Sequence, residues 1–151
     1  MTNRLTIPLL CAASVVAFAR GTSTHKAKLA ETPLKTHPKT ELTTQFTVNS
    51  GDVVEFNLFV RNNTKKMVEL RFPSGKTHEF IVKNASGKEV WRSGKQRVYT
   101  QVMTAKLVKS KDVAVYTEEL NASKLHGHYT AIAILPSENH PIEERVEFDL
   151  K

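Results

Sequence analysis

The sequence predicts a single all-β domain, an antiparallel sandwich held together without a disulfide. Three observations carry that expectation. Apolar and polar residues alternate with a period of two through much of the chain after Glu41, the pattern of strands that turn one face inward. Turn-forming clusters interrupt the alternation at intervals of about 8 to 12 residues, a sandwich spacing that disfavours helical-repeat and doubly wound folds. The chain has one cysteine, Cys11, and a single thiol cannot bridge within its own chain. The 151 residues, 40% hydrophobic and 25% charged, suit one globular domain and exclude both a disordered chain and a multispanning membrane protein.

The N-terminus reads differently. Arg4 precedes an apolar run from Leu5 to Ala19 that closes on Ala17, Phe18 and Ala19. A positive start, a short apolar middle and small residues before the cut define a secretory signal peptide over residues 1–19. The run falls short of the roughly 20 residues that cross a bilayer as a helix, so no membrane span is expected after cleavage. Cleavage removes Cys11 and Arg4, and the protein is expected to be exported, to a periplasm or to the outside. Residues 20–40, rich in Thr, Lys, His and Pro, hold too few large apolar side chains to offset an ordering cost of ~1 to 2 kcal/mol per residue. They read as a flexible basic linker before a domain over 41–151. His25 and His37 lie there without any repeated ligand spacing.

In the domain, Val54, Phe56, Leu58 and Val60 alternate with Glu55, Asn57 and Arg61 to give the first clear strand. Val68, Leu70 and Phe72 follow the turn from Asn62 to Lys66, and Phe80 with Val82 follows Pro73, Ser74 and Gly75. Val90 and Trp91 come after the turn Asn84 to Lys88. Further strands are expected over Val98 to Met103, at Val113 and Val115, and as a final pair over Tyr129 to Leu135 and Val146 to Leu150. Ala122 to Leu125 alone hints at a helical turn.

Leu125, His126, Gly127, His128 and Tyr129 spell L-x-G-x-Y just before an alternating strand. This resembles the tyrosine corner of immunoglobulin-like sandwiches, and it makes Gly127 and Tyr129 structural residues. The Cys that follows the corner in antibody domains is replaced by Ala131. A domain of this size buries roughly two-thirds of its unfolded surface, so no staple is required.

Catalytic motifs do not emerge. There is no G-x-S-x-G, no H-E-x-x-H, no phosphate-binding glycine loop and no cysteine after the signal peptide, so the chain does not read as an enzyme and no cofactor is implied. His126 and His128 share a strand face, with His78 as a distant third candidate, and without Cys or clustered carboxylates they read as solvated residues near turns rather than as metal ligands. Glu118 with Glu119, and Glu143 with Glu144, point to opposite faces of a strand and make poor acid–base partners. The net charge of +7 comes from lysines scattered through turns with no interleaved aromatics, which argues for a solvated surface over a nucleic-acid interface. Asn62, Asn84 and Asn121 each begin an N-x-Ser or N-x-Thr triplet, which turn composition explains as well as glycosylation would.

The stretch from Leu58 to Pro136 carries, in order, FVRNNTKKMVELRFPSGKTHEFIV, GKEVWR, YTQVM, VYTEEL and GHYTAIAIL. This resembles the intracellular proteinase inhibitor (BsuPI) family of bacterial domains. The family's N-x-T, its f-x-SG turn, its G-k-e-V-W-r, its F-t-Q triplet and its late G-x-Y correspond to Asn62 to Thr64, Phe72 to Gly75, Gly87 to Arg92, Tyr99 to Gln101, and Gly127 to Tyr129. Tyr99 replaces the family's Phe, Ser110-Lys111-Asp112 its glycine-acidic turn, and Leu120 a later Trp, while W-r-w-S is shortened to Trp91, Arg92 and Ser93.

The resemblance implies an immunoglobulin-like sandwich that binds a protein, specifically a serine protease that it inhibits. Trp91 is then expected as a large core side chain between the sheets. Gln101 is read as satisfying backbone near a strand end or as touching a partner. Two loops are candidates for partner contact: Phe72 to Thr77, with Pro73, Ser74, Gly75 and Lys76, and Arg92 to Arg97, with Arg92, Ser93 and Gly94. Lys76 or Arg92 would suit a basic-specific pocket. The alternative is an exported cell-envelope module that binds a protein partner through a sheet edge or loops.

Overall fold

The computed structural model describes residues 28–36 and 42–151. The expected signal peptide lies outside them, as do Cys11, His25 and His37. The described residues form strands β1 (Lys28–Glu31), β2 (Lys35–Thr36), β3 (Leu42–Ser50), β4 (Val53–Asn62), β5 (Val68–Phe72), β6 (Glu79–Asn84), β7 (Glu89–Arg92), β8 (Thr104–Val108), β9 (Val113–Asn121), β10 (Gly127–Leu135) and β11 (Ile142–Leu150). All pairings are antiparallel. One sheet runs β1-β3-β4-β9, with β2 also on β3, and the other runs β11-β10-β6-β7. β5 and β8 pair only with each other, as a separate ribbon. In immunoglobulin-like lettering, β3, β4 and β9 take places A, B and E, β6, β10 and β11 take C, F and G, and β7 adds C′.

Alternation explains the core. Val54, Phe56, Leu58 and Val60 of β4 are fully enclosed and face Phe80 and Val82 of β6, Ala131 and Ala133 of β10, and Val146 and Phe148 of β11. Phe80 lies against Phe46 and Phe56 with ring centroids 5.6 and 5.9 Å apart, and Phe56 meets the edge of Phe148 at 6.2 Å. Each such side chain contributes about 1.5 to 3 kcal/mol on burial. The tyrosine corner forms as expected: Gly127 takes φ +106°, and the Tyr129 hydroxyl donates to the His126 carbonyl at 3.0 Å. Ala122 to Leu125 closes a single turn through a 2.8 Å backbone bond.

Three expectations need correction. Residues 28–36 of the expected linker form β1 and β2, which cover the outer edge of β3 from Ser50 to Thr43. Side-chain composition missed them because their stabilisation is largely polar. The Thr32 amide donates to the Phe46 carbonyl at 2.8 Å, the Phe46 amide donates to the Thr32 hydroxyl at 3.0 Å, and Lys35 Nζ reaches the buried Glu144 carboxylate at 2.7 Å. Second, Val98 to Met103 is not a strand; the ladder with β5 begins at Thr104. Third, Trp91 lies on edge strand β7 and is half-buried, stacked on Phe56 at 5.4 Å, rather than enclosed between the sheets.

Candidate functional site

The topology explains why the two candidate loops meet. Phe72, at the end of β5, pairs with Thr104, at the start of β8, while Arg92, at the end of β7, pairs with Ile81 near the start of β6. Residues 73–78 and 93–103 therefore both run between the same end of the β5–β8 ribbon and the same end of the β6–β7 hairpin. Together they lie beside β9, the edge strand of the opposite sheet.

A buried carboxylate joins them. Glu79, its side chain 9% exposed, accepts from Lys76 Nζ at 2.5 Å and from Arg92 Nη1 at 2.6 Å. One loop supplies the lysine and the root of the other supplies the arginine. A second acceptor, Glu118, projects from the inward face of β9. It takes a bidentate contact from Arg97, with Nη2 to Oε2 at 2.7 Å, and a 3.1 Å contact from His78 Nε2. Thr77 Oγ1 lies 3.0 Å from His78 Nδ1 and fixes the ring from its other side. Burial alone would raise the Glu118 carboxyl; the Arg97 guanidinium and His78 outweigh it and hold the group below the usual carboxylate range. An inward-pointing charge on an edge strand is thus used as the anchor of a loop.

Close backbone approach completes the assembly. The Gly75 amide donates to the Thr100 carbonyl at 2.9 Å, and a Cβ on Gly75 would stand 2.6 Å from Thr100 Oγ1. A Cβ on Gly94 would meet the Tyr99 hydroxyl at 3.1 Å and Glu79 Oε1 at 3.2 Å. Lys76 Nζ sits 6.0 Å above the Tyr99 ring. Between the anchors at Arg97 and Thr100, residues 97–100 run without turn or bend, and Val98 is 100% exposed.

The expected contact residues accordingly divide. Lys76 and Arg92 are turned to Glu79 and only about a third exposed, at 31% and 32%. Ser93 continues the β6 ladder, its amide donating to the Phe80 carbonyl and its hydroxyl accepting the Phe80 amide, both at 3.0 Å. Ser74 Oγ accepts the Lys76 amide at 3.2 Å, and Pro73 is exposed. Gln101 is exposed and its amide reaches only the Tyr99 carbonyl, at 3.4 Å. Arg97 closes the second expected loop, but the expectation missed Glu79, Val98 and Glu118, whose roles depend on pairings across the sandwich. His78 stands at the opposite end of β6 from Asn84, where β10 begins with His128, so the three histidines do not converge.

A family model described as intracellular proteinase inhibitor, BsuPI, matches residues 41–140. The chain belongs to the BsuPI family. Several BsuPI motif residues now have physical reasons. Asn62 of the N-x-T triplet is fully buried: its amide donates to the carbonyls of Lys66, Val108 and Lys109 at 2.8 to 3.1 Å, and its oxygen accepts the Thr64 amide at 2.9 Å. Gly75 of the f-x-SG turn and Thr100 of the F-t-Q triplet are contact partners. At the glycine-acidic turn Lys111 adopts φ +63°, a left-handed conformation that glycine takes without a Cβ clash. No curated protein matches the chain. Similar solved structures include a β-glucosidase from Erythrobacter marinus, at 11% identity and TM-score 0.33, covering 80% of this chain and 15% of that one. DesR, a β-glucosidase from Streptomyces venezuelae in complex with D-glucose, gives 10% identity, TM-score 0.33 and coverage of 80% and 15%. A structural-genomics target gives 14% identity, TM-score 0.33 and coverage of 82% of each chain. The chain spans about 15% of the length of either glucosidase, and likenesses this distant carry no argument.

Proposed function

We propose that this domain is a non-enzymatic inhibitor of a serine protease and that it acts by presenting the paired loops 73–78 and 93–103 to the active-site cleft. The family match supplies the activity class. The observation that supports the location is the double anchorage, with Glu79 binding Lys76 of one loop and Arg92 at the root of the other, and Glu118 holding Arg97. A loop fixed before binding loses little conformational entropy on docking, which is how a small contact becomes a tight one. Buried charge does here what disulfides do in many small inhibitors.

Residues 1–19 further support a protease met outside the cytoplasm; secreted material whose sequence begins at Arg20 is the expected result of N-terminal sequencing. Titration of the purified protein against a panel of serine proteases tests inhibition, with stoichiometric loss of activity expected for at least one enzyme. Blocking that enzyme's active site covalently should abolish binding. Undiminished hydrolysis throughout the panel at micromolar protein refutes the reading.

A further inference from the structure

Basic side chains near the loops first suggest a target with an acidic specificity pocket, but the geometry points elsewhere. Lys76 and Arg92 are both engaged by the same buried carboxylate of Glu79. Delivering either into a protease pocket would strip a partner from Glu79 and leave its negative charge poorly compensated, at a cost that opposes binding. Arg97 is engaged in the same way, gripping Glu118 with both guanidinium nitrogens.

We propose that Val98 is the side chain that enters the primary specificity pocket, and that the target is a serine protease whose pocket accepts a medium-sized apolar residue. The inference rests on the inhibitor reading above and names its contact residue and substrate class. Val98 is fully exposed, whereas its neighbours on both sides are tied to the fold. Arg97 is held by Glu118 and by the 3.2 Å bond from its amide to the Gly94 carbonyl, and Thr100 is held by the Gly75 amide. Tyr99, half-buried, packs its hydroxyl end beside Gly94 and lies under Lys76. The loop thus offers one unsupported side chain at the centre of a supported segment.

The backbone fits the same role. Residues 97–100 contain no turn or bend, and a protease cleft binds its substrate extended, by adding it as a strand. Among the described residues no hydrogen bond uses the amide or carbonyl of Val98, so both are open to a cleft, while the inward carbonyl of Thr100 is already taken. Val102 and Met103, 69% and 63% exposed, extend the apolar surface on the C-terminal side, where a substrate-like ligand continues past the reacting bond. Hydrolysis of the Val98–Tyr99 bond consumes one water and leaves a carboxylate on Val98 and an amine on Tyr99. Both new ends stay attached to the domain through Arg97 and Thr100, so the reverse condensation remains accessible and net cleavage is slow.

The test compares wild type, Val98→Asp and Val98→Lys against subtilisin and elastase, whose pockets are apolar, and trypsin, whose pocket is acidic, with thermal midpoints recorded in parallel. Because the side chain touches nothing in the free protein, all three midpoints should coincide. Wild type should inhibit an apolar-pocket enzyme; Val98→Asp should weaken that inhibition at least ~30-fold, the range of a central contact residue. Val98→Lys should weaken it similarly and gain inhibition of trypsin. If both variants keep the wild-type inhibition constant, or if wild type inhibits trypsin alone, the assignment of Val98 is wrong while the inhibitor reading stands. If wild type inhibits none of the three and no other serine protease, the inhibitor reading fails and Val98 with it.

Discussion

Asn62 shows how a motif that resembles a modification signal can be purely architectural. Its amide gathers three backbone carbonyls from the turns after β4 and β8 at a point with no solvent exposure, so its side chain is not presented to a modifying enzyme. Replacement by Ala strands those groups, and Asn62→Ala should lower unfolding free energy by about 2 to 4 kcal/mol in urea denaturation. A loss below about 0.5 kcal/mol, the size of an ordinary surface change, would contradict the hub role. Legibility at this scale follows distance along the chain. The tyrosine corner was readable because Gly127, Tyr129 and the His126 carbonyl lie within four consecutive residues. Trp91 was legible as an apolar anchor but not as a half-buried one, because its exposure depends on β7 being an edge strand.

The loop pair is where local pattern and tertiary context part. Val98, Val102 and Met103 offer apolar residues in a β-prone run, and only the absence of a partner strand among the described residues leaves them as loop. Residues 73–75 bend and residues 93–96 turn, but Glu79 and Glu118 looked like ordinary strand carboxylates until the pairing of distant segments brought cations to them. The titration of Glu118 gives a sign that can be checked. The Glu118 carboxyl is lowered in the folded protein, so the stability it adds is present above the ordinary carboxylate value of about 4.3 and is lost as pH falls through its lowered folded value. The gap in thermal midpoint between wild type and Glu118→Gln should therefore be full at neutral pH and close on acidification below about pH 4. A gap that widens with acid would mean that Arg97 and His78 do not stabilise the charged form.

For the molecule as a whole, the alternation in β4, β6, β10 and β11 was enough to predict a sandwich and to place much of its core, and the lone cysteine excluded an internal disulfide; Phe46 and Val48 of β3 join that core from a stretch with no strand expected. Sheet order was not readable from the alternation, nor were β1 and β2, because strand pairing at an edge leaves little hydrophobic signature. Those two strands carry a prediction. A protein starting at residue 37 loses the β3 edge ladder, the Thr32 bonds to Phe46 and the Lys35 contact to buried Glu144. It should unfold with about 2 to 4 kcal/mol less free energy than one starting at residue 20. Equal stability would return residues 28–36 to the role of a spacer.

The central claim is that the loop pair braced by Glu79 and Glu118 beside edge strand β9 is the protease-facing surface. A cleft of about 340 Å³, lined by Gly51, Asp52, Ser123 and His126, shares no lining residue with the loop pair and lies where β10 begins. Amide hydrogen exchange of the domain, free and bound to an inhibited serine protease whose catalytic serine has been replaced by alanine, separates the two. The account predicts added protection concentrated in residues 73–78 and 93–103 and none around Gly51, Ser123 and His126. Protection centred on those three residues, with the loop pair exchanging as in the free protein, would contradict it.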